Sequence, residues 1–106
     1  MNMGDTIMRG KPLFENLFGE NNIIKVLDFI YMGKDFDFTL THISNGTGLS
    51  RTAIRNAIDF LLENKLAEIS REDDKSTYYR INKNSDKYKL LESLYNKVRE
   101  EIILTA

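Results

Sequence analysis

One stretch of this chain decides its fold, and it reads Thr39-Leu-Thr-His-Ile-Ser-Asn-Gly-Thr-Gly-Leu-Ser-Arg-Thr-Ala-Ile-Arg-Asn-Ala-Ile-Asp-Phe-Leu-Leu-Glu63. Threonine and serine are favoured N-caps, so the sequence predicts one helix after Thr39 and a second after Ser50. Gly46 and Gly48 permit the first helix to end at about Asn45. The stretch therefore predicts a short helix, a tight turn and a longer helix that reaches about Asn64.

The second predicted helix has one apolar and one polar side. Its apolar stripe consists of Ala53, Ile54, Ala57, Ile58, Leu61 and Leu62, and the opposite side carries Arg51, Thr52, Arg55, Asn56 and Asp59. Two helices joined by such a turn form a helix-turn-helix, whose second helix can enter the major groove of DNA. Arginine can bind guanine or phosphate with two parallel hydrogen bonds. We therefore expect Arg51, Thr52, Arg55 and Asn56 to contact DNA; the alternative is a solvated polar face.

Size and composition limit the class of protein. The 106 residues fit one small domain, and the absence of cysteine excludes disulfides and thiolate metal sites. No apolar run is long enough to span a membrane, and the N-terminus lacks the apolar segment of a secretory signal, so we expect a cytoplasmic protein without a membrane partner. The net charge of −1 limits general attraction to DNA, although positions 49–58 contain no acidic residue.

The residues before the deciding stretch predict a tail, two helices and a very short strand. Residues 1–10 show no hydrophobic periodicity and are expected to form a flexible tail. Pro12 and Gly19 mark the two ends of a short helix. Asn21 or Asn22 can cap the next helix, which should stop at Gly33. The four residues at positions 35–38 alternate between polar and apolar, as in a strand.

The residues after the deciding stretch predict a hairpin and a final helix. Positions 65–71 alternate, with Leu66 and Ile69 as expected core residues, and positions 77–81 have high β-propensity. The polar segment at positions 72–75 can form the turn between them. Asn84, Ser85 or Asp86 can cap the last helix.

This order of elements resembles a winged helix-turn-helix domain, and more narrowly the compact ArsR-like and MarR-like regulators common in archaea. The resemblance covers about residues 12–83 and rests on the segments Pro12-Leu-Phe14, Leu17-Phe-Gly19, Phe38-Thr-Leu-Thr41, Gly48-Leu-Ser-Arg51 and Tyr78-Tyr-Arg-Ile81. It implies a mainly α fold with a small β-hairpin wing. The implied organisation is a DNA-binding domain over residues 11–83 followed by a C-terminal helix over 84–106.

The resemblance also implies further contacts with double-stranded DNA. Thr39, Thr41 and Ser50 lie at helix N-termini that can meet phosphate, although simple capping explains the same residues. On or beside the wing, Arg71, Lys75 and Arg80 could reach phosphate or the minor groove. The acidic wing tip, Glu72-Asp-Asp74, departs from the usual basic pattern.

Other features predict no cofactor, metal ion or small-molecule effector. ArsR-type metal sensing uses cysteine or clustered histidine, whereas this chain has no cysteine and only His42. A single imidazole is a weak metal signal, and a partly exposed helix residue explains it. No catalytic constellation is present, so we expect a protein that is not an enzyme.

The final helix has two interpretations. Its apolar face consists of Tyr88, Leu91, Leu94, Tyr95, Val98 and Ile102. That face could complete the core of the monomer, or it could pair with a second subunit, which we favour. A two-fold dimer would present two recognition helices to successive turns of DNA. The sequence thus predicts a homodimeric, sequence-specific DNA-binding regulator of transcription, with repression favoured. The alternative is a winged-helix module that binds proteins in a transcription or replication assembly.

Overall fold

The structure is a computed structural model that describes residues 13–105. Within this range it contains five helices and one antiparallel hairpin, as the sequence predicts. The elements are α1 (Leu13–Phe18), α2 (Asn22–Met32), α3 (Leu40–Thr47), α4 (Arg51–Glu63), β1 (Ala67–Glu72), β2 (Thr77–Ile81) and α5 (Asp86–Thr105). The predicted tail at residues 1–10 and the lead-in residue Pro12 lie outside the described residues. None of the described helices is long and apolar enough to cross a membrane.

Short polar side chains begin the helices where the sequence predicts. Asn21 accepts a hydrogen bond from the backbone N–H of Ile24 (2.9 Å) at the start of α2. Ser50 does the same for Ala53 (3.1 Å) at the start of α4. Between α3 and α4, Gly48 adopts φ 77°, a left-handed conformation that glycine reaches without steric cost. The turn of the helix-turn-helix is thus built from local backbone preferences.

The core lies between α2 and α4 and is closed by α1, α3, the hairpin and α5. Its fully buried side chains are Phe14, Val26, Ile30, Ile43, Ile54, Ile58, Leu61 and Ile81. The apolar stripe of α4 supplies three of them, as its spacing predicts. Because this stripe is held by the core, the polar side of α4 must face outward.

Helix α3 continues through Gly46 to Thr47, two residues beyond the predicted end at Asn45. A Cβ atom added at Gly46 would lie 2.0 Å from the ring of Phe29 on α2. Gly46 therefore lets α2 and α3 approach closely around that ring, which also stacks edge-on against Phe38 with centroids 4.9 Å apart. The glycine has a packing role inside the helix and does not end it.

The hairpin has one irregularity and one correction to the sequence prediction. Ala67 pairs with Ile81 and Ile69 with Tyr79, but Arg71 pairs with Tyr78, so a β-bulge lies at Ser70. Ile69, predicted to be a core residue, is 48% exposed, whereas Ala67 is buried. The hairpin extends beyond the core, so only its base is covered.

The predicted short strand at positions 35–38 is reduced to a single bridge between Phe38 and Tyr79.

Helix α5 packs against α1 and α2 through its first three turns. The hydroxyl of Ser85 accepts a hydrogen bond from the N–H of Tyr88 (3.0 Å) and caps the helix. Tyr88 is only 7% exposed, so its predicted place in a dimer interface is corrected to a place in the monomer core. Leu91 and Tyr95 pack partly against the same core. The side chain of Ile102 lies outside the described part of the chain.

Two carboxylates, one on α2 and one on α5, make polar contacts between neighbouring elements. The buried carboxylate of Asp28 on α2 accepts hydrogen bonds from the backbone N–H groups of Phe14 (3.2 Å) and Glu15 (3.0 Å) in α1. Burial raises the pKa of Asp28 to about 6, and these two hydrogen bonds only partly oppose the rise. On α5, Glu92 accepts from the hydroxyls of Tyr88 and Tyr31 and forms an ion pair with Lys34 (3.5 Å).

Candidate nucleic-acid interface

An open groove of about 380 Å³ lies between the helix-turn-helix and the end of the hairpin. Thr39, Leu40 and Thr41 border it from the start of α3, and Arg51 and Arg55 border it from the start of α4. The opposite wall is the wing, and it consists of Glu72, Asp73, Asp74, Lys75, Ser76, Thr77 and Tyr79. The N-terminal half of α4 and the wing tip therefore face one another across this groove.

The first two turns of α4 carry the polar side chains that the sequence predicts as DNA contacts. Arg51, Thr52, Arg55 and Asn56 are all exposed. Arg51 donates a hydrogen bond from Nη2 to the hydroxyl of Thr41 (3.2 Å), which links the two helices. Arg55 forms no ion pair or side-chain hydrogen bond within the part of the chain that the structure describes. Its guanidinium group is therefore not held by any residue of that part of the chain.

The hydroxyl groups at the helix starts have local partners. Thr39 Oγ1 accepts from the N–H of His42 (3.1 Å), and the N–H of Thr39 donates to His42 Nδ1 (3.1 Å). This reciprocal pair is a capping box, and it gives the single histidine a structural role. Ser50 caps α4. Thr41 has an exposed side chain on the groove wall. No group of three or more metal-ligating side chains occurs among residues 13–105.

The charges along the groove cancel. Three basic side chains line it, Arg51, Arg55 and Lys75, and so do three acidic ones, Glu72, Asp73 and Asp74. Asp73 also shapes the wing turn, because its Oδ1 accepts from the backbone N–H groups of Lys75 (2.9 Å) and Ser76 (2.8 Å). The acidic wing tip is therefore partly structural, and it lowers the positive potential of the groove.

The structure does not bring Arg71 and Arg80 into this groove. Arg80 forms a 2.7 Å ion pair with Glu68, and both border a different groove on the outer face of the hairpin. Arg71 pairs with Asp37 (3.2 Å) and stacks over the ring of Tyr78, 3.7 Å from its centroid. Both guanidinium groups thus have intramolecular partners outside the groove, and the DNA contacts of Arg71 and Arg80 stay a prediction.

Sequence reasoning missed the partners of these arginines. Asp37 accepts from Ser70 Oγ (2.6 Å) as well as from Arg71, and these hydrogen bonds lower the pKa of its carboxyl group. The pairing raises the pKa of Arg71 in turn. Asp37 lies 34 positions before Arg71, in the segment that precedes α3, so no local pattern connects the two.

The order of elements, the groove and the exposed face of α4 together define a winged helix-turn-helix domain. Neither a protein-family model nor a curated protein matches the sequence. Solved structures do match the fold.

One of these structures is the homodimeric winged helix-turn-helix DNA-binding domain (fragment 1–100) of Mb0332 from Mycobacterium bovis, a possible ArsR-family transcriptional regulator. The TM-score is 0.60 at 19% identity, over 88% of this chain and 81% of that one. Reduced HlyU from Vibrio cholerae gives a TM-score of 0.58 at 16% identity, over 78% and 81%. An apo mutant of ZitR from Lactococcus lactis gives 0.59 at 18%, over 85% and 67%. At these identities the likeness shows the shared fold.

Proposed function

We propose that this chain binds double-stranded DNA in a sequence-specific manner as a homodimer and regulates transcription. The observation that carries the proposal is the exposed first half of α4, where Arg55 has no partner among residues 13–105 and Arg51, Thr52 and Asn56 share the same surface. Helix α4 enters the major groove, with Arg51 and Arg55 binding guanine edges or phosphates and Asn56 binding adenine. The structurally similar Mb0332 domain, which is a homodimeric DNA-binding domain, supports this assignment by analogy of fold.

The charge balance of the groove determines what kind of binding is expected. Non-specific affinity for DNA comes mainly from phosphate neutralisation, and this surface offers Arg51, Arg55 and Lys75 against three carboxylates. A single subunit should therefore bind weakly. Two recognition helices acting together supply the affinity and the specificity, which makes the dimer part of the function.

The proposed dimer surface is formed by α5 together with α1. Leu90 and Leu94 on α5 are 71% and 38% exposed, and Phe18 on α1 is 58% exposed. Phe18, Leu90 and Leu91 border a common apolar groove of about 300 Å³. Of the residues predicted from sequence, Leu91, Leu94, Tyr95 and Val98 keep some exposed surface, whereas Tyr88 does not. The proposed interface is thus shifted toward Leu90 and Phe18.

A paired substitution tests the dimer. Leu90→Glu should convert the dimer into a monomer in analytical ultracentrifugation, because a carboxylate would be buried in an apolar interface. Asn96→Glu, at an exposed position of α5 on the side away from Leu90 and Leu94, is the matched control and should leave the dimer intact. A wild-type protein that sediments as a monomer at all concentrations up to about 100 μM, well above the sub-micromolar Kd of a stable dimer, would overturn this part of the proposal.

A binding experiment tests the recognition helix. Duplexes selected from a random-sequence pool should bind wild type, and Arg55→Ala should weaken binding by about 1–3 kcal/mol if it reads a base. Lys89→Ala removes an equal charge from the exposed side of α5 and should leave affinity nearly unchanged. Equal affinities of wild type, Arg51→Ala and Arg55→Ala would contradict the assignment.

Repression is the favoured mode of regulation, since a dimer bound at a promoter blocks access to it. Transcription from a template that carries the selected site should fall when the protein is added. An increase in transcript would indicate activation instead.

One observation favours a second candidate function, a module that binds proteins. The wing tip is acidic and the groove carries no net charge, which suits a protein partner better than a polyanion. If no duplex is retained at about 50 mM salt, where phosphate contacts are strong, and a partner protein co-purifies with the chain, this second function replaces the first.

A further inference from the structure

The β-bulge at Ser70 decides which face of the wing carries Arg71. Side chains alternate along a strand, and on β2 Thr77 and Tyr79 face the DNA-binding groove while Arg80 borders the groove on the outer face. A regular hairpin would pair Ser70 with Tyr78 and Arg71 with Thr77, on the groove side. The observed bulge instead pairs Arg71 with Tyr78, on the outer face. One extra residue thus reverses the direction of the arginine closest to the wing tip.

Asp37 holds this arrangement from outside the hairpin. Its Oδ2 accepts hydrogen bonds from both Ser70 Oγ (2.6 Å) and Arg71 Nε (3.2 Å), so one oxygen binds the bulged residue and the arginine next to it. The guanidinium group of Arg71 is also stacked on Tyr78. An external phosphate must compete with these contacts to bind Arg71.

We infer that Asp37, by holding Ser70 and Arg71 on the outer face of the hairpin, keeps Arg71 out of DNA contact, so that the segment before α3 limits how much the wing contributes to affinity. Asp37 is a positioning residue in this scheme, because it acts through Arg71 and touches no DNA itself. The inference rests on the proposed DNA binding. It explains why the wing, although it has an arginine near its tip, presents mainly carboxylates to the groove.

The test compares two substitutions that each remove one carboxylate charge from the groove on the outer face of the hairpin. Asp37→Asn breaks the ion pair with Arg71 but keeps an oxygen for Ser70. Glu68→Gln breaks the ion pair with Arg80, which lies at the base of the hairpin. Binding to fluorescein-labelled random-sequence duplex DNA is measured by anisotropy between about 50 and 200 mM salt, where the slope of log affinity against log salt counts phosphate contacts.

Asp37→Asn should raise affinity for DNA about two- to fivefold. This is the gain expected when a phosphate no longer competes with an exposed ion pair for Arg71. Its salt slope should steepen by about 0.9 for each phosphate gained. Glu68→Gln should leave the slope unchanged, and Arg71→Ala should abolish the gain when it is combined with Asp37→Asn. Arg71→Ala alone should bind as wild type does.

Two results would overturn the inference in distinguishable ways. If wild type binds duplex DNA and Asp37→Asn shows the same slope, or a gain that survives Arg71→Ala, Arg71 is not restrained in this way and the proposed function stands. If neither wild type nor Asp37→Asn binds any duplex at about 50 mM salt, where phosphate contacts are strongest, both the inference and the proposed function are wrong.

Discussion

Helices α4 and α5 are both amphipathic, yet they are fixed to the molecule by different forces. On α4, Ile54, Ile58 and Leu61 are fully buried, and most of its exposed side chains are polar. On α5, only Tyr88 is buried among the described side chains, and Leu90 is largely exposed. The core therefore sets the position of α4, whereas α5 depends on tyrosine contacts and on Glu92. The comparison separates a helix that exposes a polar surface from one that exposes an apolar surface.

The largest expected difference between the two helices is in their core contribution. Ile58→Ala should lower the free energy of unfolding by about 2–5 kcal/mol, because it leaves a cavity in a well-packed region. Leu90→Ala should change it by less than about 0.5 kcal/mol when the protein is monomeric. Urea unfolding at several protein concentrations measures both. Similar losses for the two variants at low concentration would contradict the comparison.

The polar attachment of α5 is the next test. Glu92→Gln removes the charge that accepts from Tyr31 and Tyr88 and pairs with Lys34, so the free energy of unfolding should fall by about 1–2 kcal/mol. Glu100→Gln removes an equal charge from the exposed side of α5 and serves as the control. Thermal unfolding followed by circular dichroism distinguishes them. If both variants unfold at the wild-type temperature, apolar packing alone holds α5.

A smaller effect should appear as the pH changes. Burial raises the pKa of Asp28 to about 6 from 3.8, so the folded state takes up its proton more readily than the unfolded state. Stability therefore increases as the pH falls through this window, by about 1 kcal/mol between about pH 7.5 and pH 5. Below about pH 4 the trend reverses, because the pKa values of Asp35, Asp37 and Glu92 are lowered in the folded state.

Asp28→Asn isolates this group in the same unfolding experiment. The variant should lose the gain in stability between about pH 7.5 and pH 5, because that gain comes from the raised pKa of Asp28. Asp28 binds the backbone of α1, and Phe14 of α1 contacts Tyr95 of α5 (6.3 Å between ring centroids). The pH dependence therefore reports on the part of the core against which α5 packs. A gain that persists in Asp28→Asn must come from another residue.

The last prediction concerns two glycine substitutions, which should change the free energy of unfolding in opposite directions in the turn after α4 and inside α5. Lys65, in the turn after α4, has φ 60°, a left-handed conformation that costs a lysine about 1 kcal/mol or more. Lys65→Gly should therefore stabilise the protein by a few tenths of a kcal/mol after the entropy of the unfolded chain is counted. Lys89→Gly, inside α5, should destabilise it by about 1 kcal/mol. Two changes of the same sign would be inconsistent with this conformation of Lys65.

Local sequence signals predicted the helix-turn-helix closely, because its features are local. The N-caps Thr39 and Ser50, the turn at Gly48 and the apolar stripe of α4 all depend on residues within one or two turns. The prediction was wrong for Ile69, because alternation along a strand does not reveal where the core ends. It was also wrong for Tyr88, since only the packed structure shows which side of α5 the monomer uses.

In the candidate site, too, the features set by local sequence were predictable and those set by distant contacts were not. The exposure of Arg51, Thr52, Arg55 and Asn56 follows from the helical period and was predictable. The removal of Arg71 from the groove was not, because it depends on a bulge and on Asp37, far away in sequence. Side-chain ion pairs between distant segments have no periodic signature. The exposure of a side chain is therefore easier to predict on a helix than on a wing.

The single bridge between Phe38 and Tyr79 has a mechanical consequence. The two residues exchange both backbone hydrogen bonds at 2.8 Å, and Phe38 directly precedes the cap of α3. A torque applied to the wing is therefore transmitted to the first turn of α3 without a flexible linker between them. The wing and the helix-turn-helix should therefore move as one rigid body. The amide protons of Phe38 and Tyr79 should exchange with solvent at the same rate.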